Sequence, residues 1–407
     1  MNAFNSIIIT QKLPKALLRL KSIFSQSSKI VQSLDFIGEV DTFIPIGISH
    51  KRALIMLSPL AWIRASTDYP DIKRFNIDGF TYEMVKALNE SGFLVDIVDM
   101  NVVNYIPTKT YDVFIGHGGN CKSILSSFDS NTKVIQYTSG AYWKEFNRLS
   151  TERYDNFSKR KNLPTIKAFI RNLDGLVEGE EYLTTKADFL FFANHPRTIS
   201  TFGPYKNKFK VVGWAAYVEQ DLIPRKRDFD QGRKNFIYVA GTGGNIQKGM
   251  DLLLSAFAQT PDLHLYIYCT VEDEVLYAYK KELSLANIHY IYHYRLWPFR
   301  SKLKELFSKI NYTISAPIDT GIGTAFIGSL GLGFIPVGYV DMVATEKDSY
   351  LINSYEVDAI IKCIREVSTK PVEWCEEASR LTIENYNNNW TAESFSTKFK
   401  QLLNEIL

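Results

Sequence analysis

The chain is short of the residues that build disulfides, metal centres and membrane spans. Its four cysteines, Cys121, Cys269, Cys363 and Cys375, lie far apart. They form no Cys-x-x-Cys pair and have no histidine at zinc spacing, which excludes a zinc ribbon or a disulfide framework; they read as reduced, mostly buried thiols. Histidine is scarce, with 6 in 407 residues. No run of about 18 apolar residues exists to cross a bilayer, and the first residues lack the apolar core of a secretory signal. Charge of one sign is lacking too. A formal net charge of +3 does not make a nucleic-acid-binding face. The local clusters Lys159-Arg160-Lys161 and Arg225-Lys226-Arg227 are short and read as solvated loops.

What is present is a long, mixed chain. At 407 residues it exceeds one ordinary core and requires two or three. Residues 1–45 read as a helical lead-in. Within it, 12–34 carry apolar residues at helical spacing with Lys and Arg between them. That pattern fits a peripheral membrane-surface helix or a helix packed on its own domain. Two stretches then alternate strands with helices, the pattern of parallel sheets. In 46–222, strands are expected at 52–59, 93–100, 111–119, 133–140, 187–194 and 208–216, with a helix at 77–90 and helical character through 141–175. The polar, Pro- and Gly-bounded segment 224–232 reads as the interdomain linker. In 223–375, strands are expected at 235–241, 263–269, 288–294, 312–317 and 335–340, and helices at 250–259, 275–285, 300–310 and 325–333. Residues 376–407 read as terminal helices.

Two glycine-rich segments carry the chemistry. Gly241-Thr242-Gly243-Gly244-Asn245-Ile246-Gln247-Lys248-Gly249 joins a strand to a helix, so its amides and the helix N-terminus can approach a phosphate, with Lys248 adding a mobile charge. It is no P-loop, because Gly249 follows Lys248, and no dinucleotide fingerprint, because the third glycine is missing. Ser315-Ala316-Pro317-Ile318-Asp319-Thr320-Gly321-Ile322-Gly323-Thr324 repeats the arrangement one stretch later. Ligands of such sheets sit beyond the carboxyl ends of the strands. In the first half, His117 follows an apolar strand among glycines, and Thr138-Ser139-Gly140-Ala141-Tyr142-Trp143 precedes a helix carrying Arg148, Arg153 and Arg160.

The order of strand, glycine turn, Lys248-Gly249, Leu252-Leu253-Leu254-Ser255-Ala256-Phe257, then the Ser-x-Pro turn and Pro336-Val337, resembles the donor-binding half of retaining glycosyltransferases of family four. The resemblance covers about 220–400 and implies the GT-B fold. Two Rossmann-like α/β domains face each other across a cleft, and a C-terminal helix crosses back to the first. It further implies that Lys248 meets the diphosphate of a nucleotide-sugar, that Gly241, Gly243, Gly244, Thr320, Gly321, Gly323 and Thr324 surround it, and that His293 and Arg295 flank the base. His117 and Asp319 stand as catalytic candidates. Tyr142, Trp143, Arg148 and His195 are the acceptor-side candidates, Tyr142 falling where some bacterial polysaccharide transferases have a histidine. The family's paired glutamates fall at Thr320 and Gly328, and neither is acidic.

The resemblance implies transfer of a sugar from a nucleotide-sugar to a glycan or lipid-linked acceptor, in the cytoplasm or at the inner face of a membrane. No cofactor or metal is expected, since helix ends and basic side chains meet the phosphate charge; Asp228-Phe229-Asp230 spells a metal-binding signature but lies in the polar linker. Nucleic acid is not an expected partner. The missing glutamates leave two other readings open, an inactive transferase-like subunit that binds a glycan or a partner protein, and a nucleotide-sugar epimerase.

Overall fold

The computed structural model describes residues 37–43, 51–57, 76–100, 102, 105–118, 121–171, 178–193, 196–241, 244–292, 300–317, 323–339, 349–352 and 354–407. Its strands are β1 (Ile37–Phe43), β2 (Lys51–Leu57), β3 (Phe93–Asp99), β4 (Val113–Gly116), β5 (Lys133–Thr138), β6 (Phe189–Phe192), β7 (Phe209–Val211), β8 (Asn235–Val239), β9 (His264–Tyr268), β10 (Ile288–Tyr290), β11 (Tyr312–Ile314), β12 (Ile335–Tyr339) and β13 (Tyr350–Ile352). They form a seven-stranded sheet in the order β1-β3-β2-β4-β5-β6-β7 and a six-stranded sheet in the order β10-β9-β8-β11-β12-β13.

All the pairings are parallel except β1 with β3. Two parallel sheets, each wrapped by helices, are the GT-B architecture that the sequence led us to expect. The strand runs explain it, since Ala53 through Leu57 are consecutive buried apolar residues, the mark of a strand covered on both faces.

The helices that carry the argument are α1 (Asn76–Glu90), α2 (Trp143–Lys161), α3 (Glu178–Lys186), α4 (Met250–Ala258), α5 (Thr324–Gly331), α6 (Val372–Asn389) and α7 (Ala392–Ile406). Helix α1 buries Met84, Val85 and Leu88 at helical spacing. Helix α7 begins with Thr391 as its cap, the side chain accepting from Ser394 N–H at 3.1 Å. It then lays Phe395, Phe399 and Leu403 into the core of the first sheet, together with Met84, Val85 and Leu88. The last helix therefore returns to the first domain.

Helix α2 crosses the other way. It lies between β5 and β6 in the chain, yet its Tyr154 and Phe157 belong to the core of the second sheet, beside Leu252, Phe257 and Tyr279. Its basic face turns inward. Arg153 and Asp251 are 4% and 0% exposed and stand 2.5 Å apart, Arg160 contacts the other Asp251 oxygen, and Lys161 pairs with Glu282 at 2.5 Å.

These contacts correct several sequence readings. Arg160 and Lys161 are not in a solvated loop, and Arg153 and Arg160 do not form a basic platform, because the second domain supplies a buried carboxylate. The segment 224–232, read as the interdomain linker, packs against the second domain. Arg227 donates to the carbonyls of Phe307, Ile310 and Leu332, and burial lowers its pKa to about 9. Asp228 caps the short turn Phe229–Gly232 by accepting from Gln231 N–H, and Asp230 pairs with Arg233. Two strands were not expected: Ile37–Phe43, inside the lead-in assigned to helix, and Tyr350–Ile352. Each adds a strand to one edge of its sheet. All four cysteines are buried and unbridged.

Candidate functional site

The carboxyl ends of the two sheets meet. In the second domain, β8 and β11 are adjacent and parallel, so the turns that follow them emerge side by side. Gly249 begins α4 at φ +82°, and a Cβ there would stand 2.2 Å from the Ala316 carbonyl oxygen. Glycine is required because the two glycine-rich segments touch at this point. From the first domain, Arg197 donates to the Tyr355 hydroxyl at 2.8 Å, and that hydroxyl donates to the Pro317 carbonyl at 3.0 Å. The turn after β11 is thus held from both sides.

The first glycine turn differs from an open phosphate nest. Glu272 accepts from Gly244 N–H at 2.7 Å and Asn245 N–H at 2.8 Å, and Asn245 Oδ1 accepts in turn from Glu272 N–H at 2.7 Å. A side-chain carboxylate thus occupies both amides of the turn. Gly241 is exposed, and Lys248 lies next to Gly249 at the head of α4, half-buried. Gln247 reaches into the first domain, donating to Ser150 Oγ at 2.8 Å and to the Phe169 carbonyl at 3.1 Å.

At the second turn, Gly323 precedes α5, whose N-terminus has no side-chain cap, and Thr324 is half-buried. The position where the family carries a second glutamate is Gly328, buried within α5. A Cβ there would meet the Tyr217 carbonyl oxygen at 3.1 Å. The connection at 217–219 runs across this face, so a side chain at 328 would require a small shift of the Tyr217 backbone.

His117 lies at the end of β4, half-buried on the wall of a cavity of about 360 Å³. Its Nδ1 is 2.7 Å from the Tyr137 carbonyl, which can only accept, so Nδ1 carries the proton. Nε2 then accepts from the Ser139 hydroxyl at 3.0 Å. Burial, with the charge of Arg171, holds the imidazole pKa below its ordinary value despite the Tyr137 contact. Across the cavity Arg171 Nη1 donates to both oxygens of Glu180, at 2.7 and 2.9 Å. Burial raises the Glu180 pKa, against the opposing pull of Arg171 and the Trp143 backbone N–H.

The acceptor-side candidates fare unevenly. Tyr142 and Trp143 lie beside this cavity in an aromatic cluster with Phe202 and Tyr205. Burial, with the Glu181 charge, raises the Tyr142 pKa. Arg148 is turned to solvent, paired with Glu145 and Glu152 on its own helix. Asp319, Thr320, Gly321, Gly243, His293, Arg295 and His195 lie outside the described residues, as do 12–34. Sequence reasoning missed Glu272, Arg171, Glu180 and Gln136. A carboxylate four positions past the strand β9 was the only signal for Glu272, and nothing local marked the rest.

No known sequence family matches this chain, and no curated protein matches it in sequence. Its fold does have solved counterparts. Sucrose-phosphate synthase of Thermosynechococcus elongatus superposes with a TM-score of 0.58 at 12% identity, over 88% of this chain and 99% of that one. HepE of Anabaena, solved with UDP and glucose, gives 0.54 at 10% identity over 88% and 100%. A TarM variant of S. aureus, solved with fondaparinux, α-GlcNAc-glycerol and UDP, gives 0.50 at 12% identity over 72% of this chain. The present chain spans 55% of the length of that TarM. At these identities the likeness defines the fold.

Proposed function

We propose that this chain is a metal-independent glycosyltransferase. It moves a sugar from a nucleotide-sugar to a glycan or lipid-linked acceptor, with retention, in cell-surface polysaccharide assembly at the cytoplasmic side. The observation that carries the reading is the facing of two sheet ends. A glycine turn with Lys248 packs against the Ser315–Pro317 turn through Gly249, opposite a first-domain cavity with a neutral histidine. HepE and TarM, which share the fold, were solved with UDP.

In this reading the nucleoside diphosphate leaves as an acceptor hydroxyl attacks, and negative charge grows on the departing phosphate. Lys248 and the uncapped start of α5 stabilise it. The amides of Gly244 and Asn245 contribute only if Glu272 moves away, since its carboxylate already holds both. His117 and Asp319 are the candidates for contact with the sugar.

The same Glu272 contact favours a second reading, a transferase-like subunit whose phosphate turn is closed. One experiment separates the two. The purified chain is screened for thermal stabilisation by nucleoside diphosphates and nucleotide-sugars. A ligand at about 100 times its Kd adds about 2.7 kcal/mol. Stabilisation by one nucleotide class, erased in Lys248→Ala, is expected of the transferase. No stabilisation by any nucleotide rejects it in favour of the closed subunit.

A further inference from the structure

Gln136 is the one residue of β5 whose burial has no internal reason. Along this strand Ile135 and Tyr137 enter the core shared with the terminal helix, while Val134 faces the opposite core. Gln136 follows on that second face, opposite Gly116 of β4 and Leu190 of β6. It is 1% exposed, and its Oε1 accepts no hydrogen bond among the described residues. A buried acceptor left unmade carries a standing cost. Gly116 beside it supplies no side chain, and the Phe114 ring and Cys121 Sγ fill that space without reaching the amide as partners. Gln136 instead lies on the wall of a cavity together with His117 and Ser139.

The chemistry of that wall is specific. Arg171 spends its charge on Glu180, and His117 is kept neutral, so no unanswered cation awaits an anion among these residues. Phe169 and Ile170 give an apolar side. A volume of about 360 Å³ lies near the lower end of small-ligand pockets and suits one ring. We infer that this cavity binds a single neutral sugar ring, with a ring hydroxyl hydrogen-bonded to the Gln136 amide and the ring's C–H face on Phe169 and Ile170. A hydroxyl both donates and accepts, so it satisfies the amide in either orientation. Gln136 is then a specificity residue of the site. The inference rests on the transferase reading, and the ring belongs either to the nucleotide-sugar or to the acceptor.

The test uses saturation-transfer NMR on the full chain and on Gln136→Met, with two sets of probes. One set is UDP-, GDP- and ADP-glucose, whose base and sugar protons report separately. The other is the methyl glycosides of glucose, galactose, N-acetylglucosamine and glucuronic acid, with the matching nucleoside diphosphate present. The expected result is base contact unchanged and sugar affinity lowered about tenfold or more in Gln136→Met. The loss falls in the first set if the ring is the transferred sugar, and in the second if it is the acceptor. The thermal midpoint of the unliganded variant should equal or exceed that of the natural chain, since an unmatched acceptor is gone. Should Gln136→Met fail to fold, Gln136→Asn, which draws the amide back by one carbon, gives the same comparison. Sugar signals indifferent to residue 136 overturn the inference and leave the transferase reading intact, as does tighter binding of the glucuronide than of the glucoside. Loss of every base signal rejects the transferase reading instead.

Discussion

Removing Asp251 should unfasten the two domains. Its carboxylate is fully buried, 2.5 Å from an Arg153 guanidinium that is only 4% exposed, and Arg153 also donates to the Ile246 carbonyl at 3.2 Å. In Asp251→Ala the Arg153 charge stays buried with one neutral partner, and breaking such a pair from one side costs about 3–5 kcal/mol. At roughly 2–4 °C per kcal/mol for a unit of this size, the thermal midpoint should fall by roughly 6–20 °C. Arg160, whose side chain is 32% exposed, can be hydrated when released, so Arg160→Ala should cost under about 1 kcal/mol. Replacing both buried partners, Arg153→Met with Asp251→Leu, should recover most of the loss, because no uncompensated charge remains. Urea titrations followed by tryptophan fluorescence, with thermal scans, measure all four proteins. The reasoning fails if Asp251→Ala lies within about 1 kcal/mol of the natural chain, or if the apolar pair is no better than the single variant.

Two further outcomes follow from the geometry. His289 stacks on Tyr266 and lies 3.1 Å from His264 Nδ1; burial and then the neighbouring His264 bring its pKa down to about 4. The unfolded chain takes up that proton near pH 6.5 and the folded chain does not. Stability is therefore full above about pH 6.5 and declines as pH falls toward 4, by about 2 kcal/mol after solvent screening. Midpoints measured across this range should show the decline, and His289→Phe should flatten it; an unchanged slope refutes the assignment. Gly249→Ala, forced into a left-handed conformation against the Ala316 carbonyl, should cost at least about 2 kcal/mol in urea titration. It should also abolish stabilisation by any nucleotide that the natural chain binds.

Much of the fold was legible because its signals are local. Apolar runs such as 53–57 and 113–115, each closed by turn residues, locate strands directly, and the alternation with helices implies parallel sheets. Glycine-rich turns after β8 and β11 were readable for the same reason. What escaped was set by distant partners. Arg153 and Arg160 look like a solvated basic face until Asp251, far along the chain, is brought beneath them. Glu272 closes the Gly244 turn from the connection after β9. Arg171, Glu180 and Gln136 come from separate segments and become a cavity wall only after the sheet forms. The missing glutamate at Gly328 was visible in the sequence, but the close approach of the Tyr217 carbonyl to that position was not.

The two returning helices also bear on how the chain is made. The first sheet is synthesised early, yet the face that receives Phe395 and Phe399 stays uncovered until the last helix leaves the ribosome. Phe157 likewise waits for α4 and its neighbours. Each half thus emerges with an apolar surface that only the other can cover. Transiently exposed apolar surface of this kind is prone to aggregation, and neither half expressed alone should behave as a soluble domain.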